Sequence, residues 1–194
     1  QFEDACETDQ VGIVRGLAWT SVGGDTLEIE VNVMPGKGVL QLTGQMGDVM
    51  KESAQTALSY VRSAADQYGV KNSYFEKHDI HIHIPEGAVP KDGPSAGITM
   101  AAAMMSAVTN RLVSAKTAMT GEVTLRGRVL PIGGLKEKLL AARMAHIEKV
   151  LVPAKNRPDV EELSREITKG MEIVFVTSME EVLREALLGT AEKK

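Results

Sequence analysis

One serine of this chain lies in a loop whose residue types suit nucleophilic chemistry. The segment Pro90–Gly97 places Ser95 between glycine and proline residues, just before a long apolar run. Glycine permits a close approach of a ligand backbone, and proline stiffens a loop. If a helix begins here, its first N–H groups are unpaired and can stabilise a developing negative charge beside the serine hydroxyl. The pattern indicates either a nucleophilic serine or a serine that caps a helix.

The surroundings of this serine do not fit a Ser-His-Asp triad. Gly93–Gly97 matches the G-x-S-x-G pattern of α/β-hydrolases, but in those enzymes the motif follows a strand directly. Here the long loop Pro85–Pro94 precedes the serine. The only later histidine is His146, and no aspartate lies between it and Ser95. A lysine is therefore the next candidate for the base that a serine nucleophile needs.

A predicted helix after Gly134 offers two lysines, Lys136 and Lys138. Its apolar face includes Leu135 and Leu139, and at 100° per residue Lys138 lies closer to that face than Lys136 does. Burial would lower the pKa of Lys138 toward the range that a general base needs, provided that no carboxylate pairs with it. The alternative is a lysine that extends its stem along the helix and keeps its charge in water.

The carboxylate of Asp92, shortly before Ser95, bears on the charge of such a base. An ion pair between Asp92 and Lys138 would keep the lysine protonated and unable to accept a proton. The alternative is an aspartate that only caps the loop.

Other candidate sites are weaker. His81 and His83 share one face of a predicted strand and could supply two metal ligands, but no third ligand stands at a matching spacing. Gly36–Gly38 lacks the spacing of a nucleotide-binding loop. Trp19, the only tryptophan, is predicted to lie in the core, with the lining of a peptide groove as the alternative.

The elements that must position these residues follow from the apolar periodicity. The predicted strands are Leu27–Val33, Val39–Leu42, Ile80–Ile84, Ala118–Leu125, Arg128–Leu130, Lys149–Val152 and Ile173–Val176, the first two as a hairpin. The predicted helices are Asp48–Tyr68, Ser95–Val108, about twelve residues after Gly134, Arg157–Leu163, and a last helix that starts at Ser178 and ends at Gly189. Hairpins beside β-α-β units favour one compact α/β or α+β fold over a purely parallel doubly wound sheet.

Composition limits the class of protein. The 194 residues suffice for one domain with a core, and a net charge of −4 argues against a nucleic-acid binder. The single cysteine, Cys6, excludes an internal disulfide, and no apolar stretch is long enough to span a membrane. Residues 1–10 are predicted to be a tail or linker remnant, and residues 190–194 a C-terminal tail.

Several long motifs in order resemble one family. Pro85–Gly97, Thr120–Gly127 and Leu130–Ala142 are similar to segments of the Lon protease proteolytic domain, and the first resembles its LonA branch in particular. Gly16–Gly24 fits the same family. The similarity runs from about Val11 to Leu188, nearly the whole chain.

The resemblance implies a serine endopeptidase domain with a Ser-Lys dyad. Ser95 matches the family nucleophile, Lys138 the general base, and Thr120 a threonine that hydrogen-bonds the lysine. N–H groups around Gly93–Ser95 are expected to stabilise the oxyanion, and Asp92 and Gly93 are counted as supporting residues.

The resemblance also implies the fold and the cofactors. We expect a compact single α/β domain with a mixed sheet over residues 11–189, like the second domain of ribosomal protein S5. No cofactor or metal is expected in this domain, because ATP and Mg²⁺ bind to a separate ATPase module in the family. The length and the start at Gln1 indicate a proteolytic domain without that module.

Partners and location are implied in the same way. The family degrades misfolded and regulatory proteins, so unfolded or degron-bearing proteins are the expected substrates of a cytoplasmic hexameric ring. Nucleic acid and membranes are not expected as partners. The alternative is a non-catalytic binding or assembly module of similar fold.

Overall fold

The computed structural model describes residues 8–20, 23–85 and 91–192. The strands are β1 (Gln10–Val11), β2 (Ile13–Thr20), β3 (Gly23–Pro35), β4 (Leu40–Thr43), β5 (His78–His83), β6 (Arg111–Val113), β7 (Thr117–Met119), β8 (Glu122–Val123), β9 (Val129–Leu130), β10 (Lys149–Pro153), β11 (Glu172–Val176) and β12 (Leu187–Thr190). The helices are α1 (Asp48–Ala64), α2 (Ser73–Lys77), α3 (Gly97–Thr109), α4 (Leu135–Met144), α5 (Arg157–Glu161), α6 (Arg165–Thr168) and α7 (Met179–Ala186), with short 3₁₀ helices at Ala65–Tyr68 and Ala154–Asn156.

The largest sheet is mixed, in the order β11-β10-β7-β2-β3-β5-β4. β11, β10, β7 and β2 run parallel to their neighbours in that order, whereas β3 is antiparallel to both β2 and β5. Two smaller sheets have the orders β1-β6-β12 and β8-β9. The mixed sheet and single compact domain confirm the predicted fold class.

The predicted hairpin between β3 and β4 is wrong. Both strands form as predicted, but β5 lies between them, antiparallel to β3 and parallel to β4. The alternating Ile80 and Ile82 of β5 have both edges of their strand paired, and both side chains are buried. A local turn signal at Pro35–Gly38 cannot reveal such an insertion, because the inserted strand comes about forty residues later in the chain.

One face of the sheet packs against α1 and α3. Residues 97–106 of α3 are buried on all sides, as a helix without a polar face must be. Alanines and methionines fill this core, since small side chains allow close helix packing and methionine adapts to irregular gaps. The central position of α3 fixes the direction of the loop before it, which carries Ser95.

The opposite face packs against α4. Leu135, Leu139 and Ala142 of this helix join Leu17 of β2 and Val150 of β10 in a second apolar cluster. The side of α4 that points into this cluster is therefore buried between the helix and the sheet, which is where Lys138 lies.

The helix-end signals are partly confirmed. Gly69 ends the first helical segment with a left-handed φ of 81°, and Ser178 Oγ accepts from the Glu181 N–H at 3.4 Å, as the capping box predicts. The last helix ends earlier than predicted, because residues 187–190 form β12 and pair with β6.

The chain ends bear on the predicted boundaries. Gln10 pairs with Val113 and Thr190 pairs with Arg111, so the strands of one small sheet extend into both predicted tails. Cys6 lies outside the described residues. Within the described ranges, no helix is both long and apolar enough to cross a membrane.

Candidate active site

The loop before Ser95 is attached to the start of α1. The backbone of Lys91 accepts from Gly47 N–H at 2.7 Å and donates to Gln45 O at 3.0 Å, and Lys91 Nζ donates to Gly44 O at 2.8 Å. These bonds fix the chain shortly before the serine.

Asp92 caps α1. Its Oδ1 accepts the N–H groups of Met50 at 3.0 Å and Gly93 at 2.8 Å. Hydrogen bonds from Gly93, Met50 and Val49 hold the pKa of Asp92 below its usual range. Among the described residues no ion pair joins Asp92 to Lys138, so the carboxylate is placed as a cap in this structure.

Positions 93 and 97 require glycine for two different reasons, backbone conformation at the first and lack of space at the second. Gly93 has a φ of 100°, a region that side chains rarely adopt. A Cβ at Gly97 would lie 2.8 Å from both Ser53 Oγ and a methyl of Val123. The two glycines therefore allow the loop to turn and then to enter α3 in close contact with its neighbours.

Ser95 is not the cap of α3. The helix begins at Gly97, and Ala96 is its cap residue, without a side-chain capping bond. The carbonyl of Ser95 accepts from Gly121 N–H at 2.8 Å and from Thr120 Oγ1 at 3.5 Å. The carbonyl of Ser95 is thus held by two donors of the Thr120–Gly121 segment, while no hydrogen bond of the described residues occupies its Oγ.

Oxyanion donors are fewer than the sequence predicts. Pro94 has no N–H, and the Gly93 N–H donates to Asp92 Oδ1. Of the three residues Gly93–Ser95, Ser95 alone has an N–H without a protein partner in the described chain.

Lys138 lies on the buried side of α4, with 3% of the residue exposed. Its Nζ donates to Thr120 Oγ1 at 3.3 Å, and Thr120 is fully buried. Burial lowers the pKa of Lys138 to about 8, since the charged form loses its hydration. The hydroxyl partner adds no negative charge that would oppose this effect. Lys136, two residues earlier, is exposed.

Ser95 and Lys138 line one cleft of about 1020 Å³. The other lining residues are Leu17, Ala18, Trp19, Asp25, Leu27, Met50, Lys91, Asp92, Pro94, Ala96, Pro131, Ile132, Gly133 and Gly134. No hydrogen bond links Ser95 Oγ with Lys138 Nζ in the described residues. Such bonds are often long without substrate and tighten when it binds.

Trp19 is not a core residue. It is 62% exposed and lines the cleft, where its ring packs beside Gly134. The prediction of a core tryptophan is therefore wrong, and the groove-lining alternative describes its position.

The predicted histidine pair, His81 and His83, is not among the residues that line the cleft. Thr43 Oγ1 is 2.8 Å from His81 Nε2 and 2.6 Å from His83 Nδ1, on the β4–β5 side of the sheet. Within the described ranges, no group of three or more histidine, cysteine or acidic side chains could hold a metal ion.

Two features of the site escaped the sequence analysis. β7 pairs with β2 only at Arg15 and Gly16, while β3 pairs with β2 as far as Thr20, so the cleft-side edge of residues 17–20 has no strand beside it in the described chain. The other feature is Asn156, whose side chain bonds the backbone of Ile132. Alternation could have suggested β2, but no local pattern marks Asn156.

Comparison with known proteins identifies the family. The family model of the Lon protease (S16) C-terminal proteolytic domain matches residues 1–189. The chain is 69% identical over 186 residues to the Lon protease of Lachnoclostridium phytofermentans, covering 96% of the chain and 23% of that protein. It is 58% identical over 194 residues to Lon protease 1 of Bacillus subtilis, covering 100% of the chain and 25% of that protein.

The chain thus spans about a quarter of the length of these curated relatives. The family match extends from β1 to the third residue of β12 and includes every residue that lines the cleft. The chain belongs to the family of Lon protease C-terminal proteolytic domains, which are serine endopeptidase domains.

Proposed function

We propose that Ser95 is the nucleophile and Lys138 the general base of this endopeptidase domain. The observation that carries the proposal is the state of Lys138: a buried lysine with a lowered pKa of about 8, a hydroxyl partner and a place in the same cleft as Ser95. A base must be unprotonated to act, and desolvation makes the neutral amine accessible near neutral pH.

The chemical steps follow from this assignment. Lys138 Nζ takes the proton of Ser95 Oγ as the oxygen attacks the peptide carbonyl carbon, and the Ser95 N–H stabilises the oxyanion. When the C–N bond breaks, Lys138 gives that proton to the leaving amine, which leaves an ester on Ser95. Water then attacks the ester, Lys138 takes its proton, and Ser95 Oγ regains a proton as the acid product leaves.

The open edge of β2 is where we propose that the substrate binds. Alternate backbone groups of Leu17–Thr20 point to this edge, and an extended peptide can pair with them as an added strand. Leu17, Leu27 and Met50 offer an apolar lining for its side chains, and the exposed Trp19 ring lines the same cleft.

The role of the whole protein is proposed from the family resemblance. We propose that the domain acts within an ATP-dependent, hexameric and cytoplasmic protease that degrades unfolded or degron-bearing proteins. ATP and Mg²⁺ would bind to a module beyond this chain, which leaves the dyad residues as the chemical contribution of this domain.

A test should separate this proposal from a non-catalytic binding module. We expect the fluorophosphonate-reactive site to be Ser95, with labelling and hydrolysis of a fluorogenic peptide both lost in Ser95→Ala by more than about a thousandfold. Ser114→Ala, which changes a serine away from the cleft, is the matched control. Hydrolysis that survives in Ser95→Ala would contradict the assignment, and a wild-type chain that is neither labelled nor active would favour the binding module.

A further inference from the structure

The segment that joins β9 to α4, Pro131–Gly134, is a thin wall between two cavities. We call it the β9–α4 loop. Residues 132–134 line the catalytic cleft on one side and a cavity of about 560 Å³ next to α5 and α6 on the other. No atom of the described residues lies within 4 Å of the position that a Cβ of Gly133 would occupy. Two adjacent glycines and this open surrounding give the wall little stiffness of its own.

One buried side chain, that of Asn156, hydrogen-bonds the backbone of this wall, whose Ile132 side chain also packs against the second apolar cluster. Asn156 is 3% exposed, and its Oδ1 accepts the Ile132 N–H at 2.9 Å. Its Nδ2 donates to Ile132 O at 2.8 Å and to Asp159 Oδ2 at 2.8 Å. Both backbone groups of Ile132 are therefore bound by a single amide, much as a neighbouring strand would bind them.

The lysine helix is held by different contacts. Leu135, Leu139 and Ala142 anchor α4 in the second apolar cluster, and Lys138 Nζ donates to Thr120 Oγ1 at 3.3 Å, outside the β9–α4 loop. Loss of the Asn156 bonds should therefore release the wall and leave Lys138 in place. Asn156 itself is not among the residues that line the cleft.

We propose that Asn156 is a positioning residue that sets the substrate-binding wall of the cleft through the backbone of Ile132. The inference rests on the proposed peptidase function. It assigns substrate binding, rather than the chemical step, to the Asn156 clamp, because the wall and the open edge of β2 line the same cleft. Ser95 is held by hydrogen bonds to its carbonyl, and Lys138 by the apolar packing of α4.

The experiment compares two substitutions with a control in the 194-residue chain. Asn156→Ala removes all three bonds, and Asn156→Asp keeps the acceptor but removes both donors. Asp159→Asn retains an oxygen that can accept from Asn156, so it is the matched control. For a fluorogenic peptide we expect both Asn156 variants to raise KM about tenfold. We expect kcat, the pH midpoint and the rate of fluorophosphonate labelling to stay within about twofold, and Asp159→Asn to behave like the wild type.

Several results would overturn the inference. Unchanged KM in both variants would show that the clamp does not shape the binding wall. A fall in kcat with a shifted pH midpoint would place the effect on Lys138 instead. Unfolding of both variants, detected by circular dichroism, would assign Asn156 to stability alone. If the wild type neither hydrolyses the peptide nor labels at Ser95, the proposed function fails and this inference with it.

Discussion

The two sides of the catalytic cleft, one carrying Ser95 and the other Lys138, are stabilised by different kinds of interaction. The side that carries Ser95 is fixed by directional hydrogen bonds: its backbone bonds the turn before α1 and the Thr120–Gly121 segment, and the Asp92 carboxylate accepts the Met50 N–H of α1. The side that carries Lys138 is fixed by apolar burial, with Leu135, Leu139 and Ala142 of α4 packed against the sheet.

This difference matches what each residue has to do. A nucleophile needs an exact position, and hydrogen bonds to a rigid backbone supply it. A lysine that acts as a base needs a lowered pKa, and for Lys138 removal from water without a carboxylate partner supplies it. Lys149 illustrates the other arrangement, since its Nζ lies 2.8 Å from Glu185 Oε2 in an ion pair.

The largest expected effect tests the apolar side of the cleft, which carries Lys138. Lys138→Met keeps the length and apolar packing of the side chain but removes the base, so peptide hydrolysis should fall by about a hundred- to ten-thousandfold. Lys136→Met on the same helix is the matched control, because Lys136 is exposed. Comparable activity losses in both variants would show that the burial of Lys138 has no special role.

Removal of the hydroxyl at Thr120 should have a smaller effect. For the wild type we expect kcat/KM to rise with pH through about 8, because the neutral amine is the active form. Thr120→Val takes away the acceptor that stabilises the ammonium, so the midpoint should move to lower pH while the maximal rate falls about tenfold. The control Thr120→Ser keeps a hydroxyl and should keep the wild-type dependence of kcat/KM on pH. A midpoint that does not move would contradict a polar contact of Thr120 with Lys138.

The same burial predicts a gain in stability when the lysine is removed. The folded pKa of about 8 lies below the ordinary value of 10.5, so between these two pH values the unfolded chain binds more protons than the native protein does. Stability of the wild type should therefore rise as pH increases from about 8 to about 10.5. At pH 7, Lys138→Met should be more stable by up to about 3 kcal/mol. Denaturant unfolding at pH 7 and pH 10.5 measures this, and an equal difference at both pH values would speak against desolvation as the cause.

Substitution of Asp92 gives the smallest expected effect and tests the hydrogen-bonded side of the cleft, which carries Ser95. Because its carboxylate caps α1, Asp92→Asn should lower the Tm while leaving the pH midpoint of hydrolysis unchanged. The lowered pKa of Asp92 means that its contribution to stability is present above the unfolded pKa and is lost as pH falls through the folded value. A clear rise in activity near neutral pH would instead support an Asp92–Lys138 ion pair that restrains the base.

Local sequence signals predicted much of the secondary structure and singled out Ser95 and Lys138 as candidates, which the family resemblance then joined as a dyad. The S-x-x-E pattern at Ser178 and the glycine at Gly69 act within one helical turn, so their effects are readable from neighbouring residues. The preference for Lys138 over Lys136 came from helical periodicity alone, and the structure buries Lys138 and exposes Lys136.

Contacts between distant segments were not predictable in the same way. Three features depend on residues far apart in the chain. They are the insertion of β5 between β3 and β4, the place of the exposed Trp19 beside Gly134, and the bonds from Asn156 to Ile132. Propensity and periodicity describe which face of an element is apolar, but they do not specify which other element covers it.

The sequence by itself determined where the longer helices and many of the strands lie, which serine stands in a glycine-rich turn and which lysine faces the apolar side of its helix. The tertiary structure decided the charge and the surroundings of these groups. It placed Asp92 on α1 instead of beside Lys138, left Thr120 as the lysine's polar partner, and brought Ser95 to the same cleft. The physical reason is that a pKa depends on desolvation and on every charge nearby, and these neighbours are set by packing between elements rather than by order along the chain.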